Sequence, residues 1–243
     1  MPLTRKGEPM KPLIPLTVLL LFVLALPACS ELTRDERSTA VNLVNQATET
    51  VQRFKAMPDL RMFSQYMATA RGIVVLPSVI KGGFLLGGEG GSGVLLVKTV
   101  DGSWSPPAFY ALAAASVGLQ AGVQDTEIVL ILRSDAAIDA VVKHQGKLGA
   151  DAGLTFGAIG QGAEVSTTTN IGVDILAFSN ANMGLFGGIG LEGAVLARRV
   201  DLNEAYYGRG VTPKGILYQG QGVNPQADGL RAALSGPLRR PAP

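Results

Sequence analysis

The chain has 243 residues, with 21 Lys and Arg, 19 Asp and Glu, one His, one Cys, 31 Gly and a formal net charge of +2. So small a surplus is not the basic footprint of a nucleic-acid-binding protein, and a single Cys excludes an internal disulfide and a multi-cysteine metal site. The length suits one domain with a real core, or two small ones.

Arg5, Lys6 and Lys11 precede the apolar run Leu13 to Leu26, the layout of a secretory signal peptide. The run is too short, and too interrupted by Pro12 and Pro15, to be a transmembrane helix. It ends in Leu26-Pro27-Ala28-Cys29, which resembles a lipobox apart from Pro27. Cys29 is therefore expected to be the acylated first residue of the mature chain, which also accounts for a lone thiol in an oxidising compartment. Ser30 after it resembles the Gram-negative sorting signal for the outer membrane. The expected location is the bacterial cell envelope, lipid-anchored to the outer membrane and facing the periplasm or the cell surface. Losing Arg5, Lys6, Lys11 and Glu8 leaves 18 basic and 18 acidic residues, so the mature chain is neutral.

Thr33-Arg34-Asp35-Glu36 reads as a capping box, and Val41, Val44, Ala47, Val51 and Phe54 follow at helical spacing. A second helix is expected from Pro58, with Leu60, Phe63, Met67 and Ala70 on one face and Gly72 at its end. From Ile73 to Val200 the chain turns to short apolar and β-branched runs broken by glycine: 73–76, 93–97, 126–132, 165–175 and 194–200. These are strand signals, with glycines at bulges and sharp bends. One inserted helix is expected after Ser134, with Ile138, Val141, Val142 and Leu148 on its face. The fold class is α+β: a strongly bent, mainly antiparallel Gly-rich sheet, sandwich- or barrel-like, with two N-terminal helices and one inserted helix. Gln219 to Pro243, rich in Gly, Pro and Gln, reads as a flexible tail.

Residues 85–98 and 185–198 are similar at an offset of one hundred positions, with Leu85, Gly87, Gly88, Gly90, Gly93 and Leu96 repeated identically and Lys98 answered by Arg198. Chance among glycine-rich segments accounts for this, or else two equivalent strand pairs in a pseudo-symmetric sheet. Both segments contain G-x-G-x-x-G, at Gly88, Gly90, Gly93 and at Gly188, Gly190, Gly193. A dinucleotide site needs a helix after such glycines, and the residues that follow here are strand-like. The sole histidine, His144, falls in Lys143-His144-Gln145-Gly146-Lys147, a solvated stretch. Asp125, Glu127, Asp135 and Asp139 read as solvated acids at turns and a helix start. No nucleophile motif is present, and the reading is of a protein that is not an enzyme, with no metal and no cofactor.

Residues 70–77 (ARGIVVLP), Lys81-Gly82-Gly83-Phe84 and Gly90-Gly91-Ser92-Gly93-Val94 resemble the opening of the SYLF domain. The likeness continues through Gly102-Ser103-Trp104-Ser105-Pro106-Pro107, residues 116–122 and residues 183–188, and closes on Arg199-Val200-Asp201-Leu202-Asn203-Glu204-Ala205-Tyr206-Tyr207-Gly208. It covers residues 35 to 219 in order, giving a signal peptide over 1–28, a SYLF-like domain over 29–219 and a tail over 220–243. The resemblance implies a non-catalytic phospholipid-binding domain, which in eukaryotes acts on phosphoinositide membranes and actin. In an envelope the expected partner is membrane phospholipid, beside the acyl anchor on Cys29, with an envelope protein as the alternative; nucleic acid and actin are not expected. Within the matched motifs Lys81, Lys98, Arg198 and Arg199 are the candidate lipid-binding residues, because cations near backbone N–H groups at glycine turns suit a phosphate. Trp104 is expected in the core rather than at a membrane interface.

Overall fold

A computed structural model describes residues 35–57, 61–144, 156–160, 174–180 and 194–236. The signal peptide and Cys29, the second glycine-rich copy up to residue 193, the expected strand over 165–173, Leu148 and the side chain of His144 lie outside the described residues.

Helix α1, Glu36–Ala56, carries Glu36 in its first turn and Arg53 and Lys55 in its last, the arrangement that suits the helix dipole. It buries Ala40, Leu43, Val44, Ala47, Thr50, Val51 and Phe54 along one stripe. Helix α2, Arg61–Thr69, buries Phe63 and Met67. Gly72 opens strand β1, Gly72–Val97, rather than closing a helix. Strand β2, Ala108–Leu132, returns antiparallel to it along nearly its whole length. The register shifts between Leu76 and Val79, where Pro77 has no N–H to give, and again between Gly83 and Leu85.

At 26 residues β1 is too long for one straight strand, and it doubles back on itself. The Lys98 amide donates to Arg71 O at 2.7 Å. A Cβ on Gly93 would stand 2.2 Å from Val75 O, and one on Gly91 would stand 2.2 Å from Ser78 O. Only glycine lets the two halves of β1 approach this closely. Gly90, by contrast, has ordinary room, with Leu112 O at 3.5 Å. Bending is thus carried by Gly91 and Gly93, and β1 continues as a strand through Gly88, Gly90 and Gly93 to Val97 without opening a helix.

Helix α3, Asp135–His144, is capped by Ser134, whose Oγ accepts from Ala137 N at 3.1 Å. Strands β3, Phe156–Gly160, and β4, Ile175–Asn180, pair with each other in parallel, and β4 pairs antiparallel with the end of β2. Strand β5, Val195–Arg198, pairs with the beginning of β2, opposite the β1 side. The described end of the second segment, residues 195–198, therefore lies on the edge of β2 opposite the first segment, but out of step with it. Tyr110 has Gly93 on one side and Arg198 on the other, so Arg198 is level with Gly93 and not with Lys98.

Neighbouring strand residues fall into two separate cores. Ile73, Val75, Val94, Leu96, Phe109, Val129, Ile131, Leu176 and Phe178 pack with α1 and α2, whereas Val74, Leu76, Leu95, Val97, Tyr110, Leu130, Leu132 and Ala177 pack with α3. The class is α+β with a bent, mainly antiparallel sheet, as the sequence implies. Among the described residues, helices cover its faces.

Three further helices follow β5 where no helix was expected. Helix α4, Val200–Tyr207, and helix α6, Asp228–Ser235, pack on the α1 side; helix α5, Pro213–Tyr218, packs on the α3 side. The expected tail over 220–243 is therefore corrected for its first part. Pro225–Ala227 form a 3-10 turn leading into α6, whose Leu230 and Leu234 are buried against α1. Arg231 Nε donates to Trp104 O at 2.8 Å. Buried leucines and a satisfied hinge outweigh the disorder-like composition of this stretch. Leu230→Ala should lower stability by about 3 kcal/mol, a cavity cost that a tail residue would not show; urea midpoints equal to wild type would return the segment to a tail.

Candidate functional site

The four bases singled out in the sequence do not form one cluster. Lys81 Nζ lies 2.6 Å from Glu89 Oε1, whose side chain is only 4 % exposed. Arg199 pairs with Asp201 and donates to Ser92 Oγ at 2.8 Å, and its bonds to Asp201 raise its pKa while lowering that of Asp201. Arg198 ends β5, exposed, opposite Tyr110. Tyr110 is buried, and desolvation pushes its phenol well above the ordinary range. Lys98 lies beyond the far end of β1, about 16 Å along the strand from the level of Arg198. Arg198 and Arg199, being neighbours at a strand end, point to opposite sides of the sheet.

Lys98 instead meets a lysine that sequence reasoning did not single out. A cleft of about 370 Å³ is lined by Lys55, Ser64, Met67, Ala68, Lys98, Gly102, Trp104, Leu234, Ser235 and Gly236. That volume is in the range of small-ligand clefts, about 300–1,000 Å³. Four pieces of chain build it: the end of α1, helix α2, the 98–107 turn of the hairpin, and the end of α6. Lys55 Nζ donates to Ala233 O and to Gly236 O at 2.9 Å, closing the C-terminal turn of α6. Burial lowers the Lys55 pKa. Lys98 Nζ donates to Ala68 O at 3.1 Å, next to the end of α2, and stands 5.5 Å from the centre of the Trp104 ring. A cation over an aromatic ring at such a site contributes about 0.5–1 kcal/mol.

Each helix C-terminus carries about half a negative charge, so Lys98, which faces the end of α2 alone, keeps part of its positive charge uncompensated, while Lys55, at the ends of both α1 and α6, keeps less. Among the described residues no Asp or Glu lines the cleft. The nearest in sequence, Asp101, is held by the Thr99 and Ser103 hydroxyls, which lower its pKa. Trp104, the chain's single tryptophan, is 3 % exposed and belongs to the core, as expected. Lys55 was legible only as a base in the last turn of α1; what places it here is the packing of α6, which composition disguised.

A second polar assembly joins α1 to the sheet. Glu127, in β2, accepts from Thr50 Oγ1 at 2.6 Å, from Arg53 Nη2 at 2.5 Å and from Asn180 Nδ2 at 3.0 Å. It is not the solvated turn acid that the sequence suggested, because β2 runs on through position 127 and turns the carboxylate under α1. Asn203, buried in α4, both accepts from Phe109 N and donates to Phe109 O at 3.0 Å, so a side chain replaces a strand neighbour at the β2 edge. These assemblies fix helices to the sheet. Among the described residues no group of three or more His, Cys, Asp and Glu could hold a metal ion, and no described helix is long and apolar enough to cross a membrane.

A doubled β-hairpin held between helical layers, with a lysine-lined cleft at one end, defines a helix-covered α+β domain. The family model described as Ysc84, Las17-binding protein actin regulator, matches residues 113–236, and the chain belongs to this family, whose domain is the SYLF domain. SH3 domain-containing YSC84-like protein 1 of Rattus norvegicus is 30 % identical over 203 residues, covering 83 % of this chain and 58 % of the relative. Protein YSC84 of Saccharomyces cerevisiae is 35 % identical over 168 residues, covering 68 % of this chain and 36 % of the relative. LAS seventeen-binding protein 3 of the same yeast is 32 % identical over 151 residues, covering 61 % and 32 %. The chain thus spans well under two thirds of the length of these relatives. Of these names, that of LAS seventeen-binding protein 3 describes a binding protein.

Proposed function

We propose that this protein is a lipid-anchored envelope protein whose SYLF domain binds membrane phospholipid without catalysis. The observation that carries the reading is the short distance between the expected acylation site and the fold. Helix α1 begins at Glu36, seven residues after Cys29, a link of about 25 Å at full stretch. An acylated Cys29 would therefore hold the start of α1 within about 25 Å of the headgroups. Of the candidate lipid contacts, Lys98 and Arg198 are not committed to a carboxylate among the described residues, whereas Lys81 and Arg199 are. Of the family's partners, phospholipid is the one available in an envelope.

A fatty-acid analogue should label wild type and not Cys29→Ser, and label retained in the serine variant would remove the anchor. Flotation of the Cys29→Ser protein with anionic vesicles then asks whether the domain itself holds lipid. The names of the family and of one yeast relative, which speak of binding Las17, support a second reading, a protein-interaction lipoprotein. It takes over if the unanchored protein floats with no vesicle.

A further inference from the structure

We infer that the cleft between α1, α2, the 98–107 turn and α6 is a phosphoryl-anion site, with Lys98 as the direct donor and Lys55 as a fixed charge behind it. The inference rests on the phospholipid reading for its source of ligand, but the site is defined by its own chemistry. Two ammonium groups line one cavity of about 370 Å³, with no carboxylate among its described lining residues. Lys55 spends its donors on the carbonyls of Ala233, Leu234 and Gly236. Its position is therefore rigid and its charge is what it offers. An ammonium has three donors, and Lys98 gives one to Ala68 O, which leaves two for a ligand. Ser64 and Ser235 add hydroxyls to the lining, and Met67, Trp104 and Leu234 make the rest of the wall apolar. A headgroup phosphate with its glycerol fits that division between polar and apolar lining; so does a free phosphate ester, since the recognised group is the same. A charge-assisted bond to phosphoryl oxygen is stronger than the 5.5 Å ring contact that holds Lys98 over Trp104, so the ligand draws Lys98 away from the ring.

That displacement makes Trp104, the chain's single tryptophan, its reporter. The full chain in detergent micelles is titrated with inorganic phosphate, with chloride at matched ionic strength as the control for screening. It is also reconstituted into phosphatidylcholine vesicles with and without phosphatidylglycerol. Phosphate should shift Trp104 emission saturably where chloride does not. Lys98→Gln, which has no cation over Trp104 to displace and is therefore titrated calorimetrically beside wild type, should raise the phosphate Kd about tenfold, the loss of one charge-assisted bond. Ser64→Glu leaves both lysine-to-carbonyl contacts in place and should abolish the response, which covers the case of a Lys98 variant that folds poorly. Lys143→Gln, on α3 and paired with Asp139, should change nothing. A response to phosphatidylglycerol identifies the ligand as a lipid headgroup. A response to free phosphate alone keeps the site and overturns the phospholipid reading. Silence of Trp104 toward both, in protein that still floats with anionic vesicles once Cys29 is replaced, overturns the site and leaves lipid binding elsewhere on the domain.

Discussion

Gly93→Ala is expected to remove more than about 3 kcal/mol of folding stability, while Gly90→Ala is expected to cost nothing or to add about 0.5 kcal/mol. The two glycines belong to one G-x-G-x-x-G run and look alike in sequence. They differ in what a methyl group would meet. At Gly93 it would stand 2.2 Å from Val75 O and 2.8 Å from Leu76 Cδ2; at Gly90 the nearest atom is Leu112 O at 3.5 Å. A backbone oxygen within a paired strand has nowhere to go, so the two halves of β1 would have to part. Their parting would break both cores, because each half supplies residues to both. At Gly90 the methyl group only narrows the unfolded ensemble. Thermal or urea midpoints of the two variants check this, and equal losses at both positions would mean that the glycines are needed for backbone conformation rather than for close approach. A loss of this size is a large part of the 5–15 kcal/mol that holds most domains together, so Gly93→Ala is also expected to reduce the yield of folded protein.

The contrast shows where sequence reasoning stopped. That glycines bend this sheet was legible, because they punctuate the apolar and β-branched runs; which of them bend it was not, since close approach is a property of two distant segments. The uninterrupted runs Ile73-Val74-Val75-Leu76 and Ile128-Val129-Leu130-Ile131-Leu132 hold a further message. A strand with one wet face alternates, and a strand without polar positions has both faces covered. Two N-terminal helices and α3 supply only part of that cover. The remainder comes from helices whose start signals are present but diluted. Thr212 precedes Pro213 and accepts from Gly215 N at 3.0 Å; Asn224 precedes Pro225 and accepts from Gln226 N at 3.1 Å. Cap residues followed by proline are helix-start signals, and the Gly, Pro and Gln around them read as tail. The bases were found as residues but not as a group. Lys98 meets Lys55 through α6, and the hundred-residue repeat that paired Lys98 with Arg198 places them out of step on opposite edges of β2.

Glu127→Gln is expected to cost about 2–3 kcal/mol at neutral pH, with the difference from wild type closing as the solution is acidified. Burial by itself would raise the pKa of Glu127, but hydrogen bonds from Arg53, Thr50 and Asn180 outweigh it and hold the carboxyl below its ordinary value of 4.5. Arg53 is half exposed, at 48 %, so its ion pair is screened and contributes little. Most of the cost comes from the fully buried Thr50 and from Asn180, whose bonds to a charged acceptor are worth about 1.5–3 kcal/mol each before the amide's own replacement contacts are counted. The folded-state pKa is depressed, so the stabilisation is complete above the unfolded-state pKa, and it is lost as pH falls below about 4.5 and through the lower folded-state value. Once protonated, the wild-type carboxyl offers what glutamine offers, and the two stability curves meet. Urea midpoints of both proteins from pH 7 to pH 3 test this. A gap that stays constant on acidification would mean that glutamine fails for its shape and not for its charge, and the carboxylate would then not be what fastens α1 to β2 and β4.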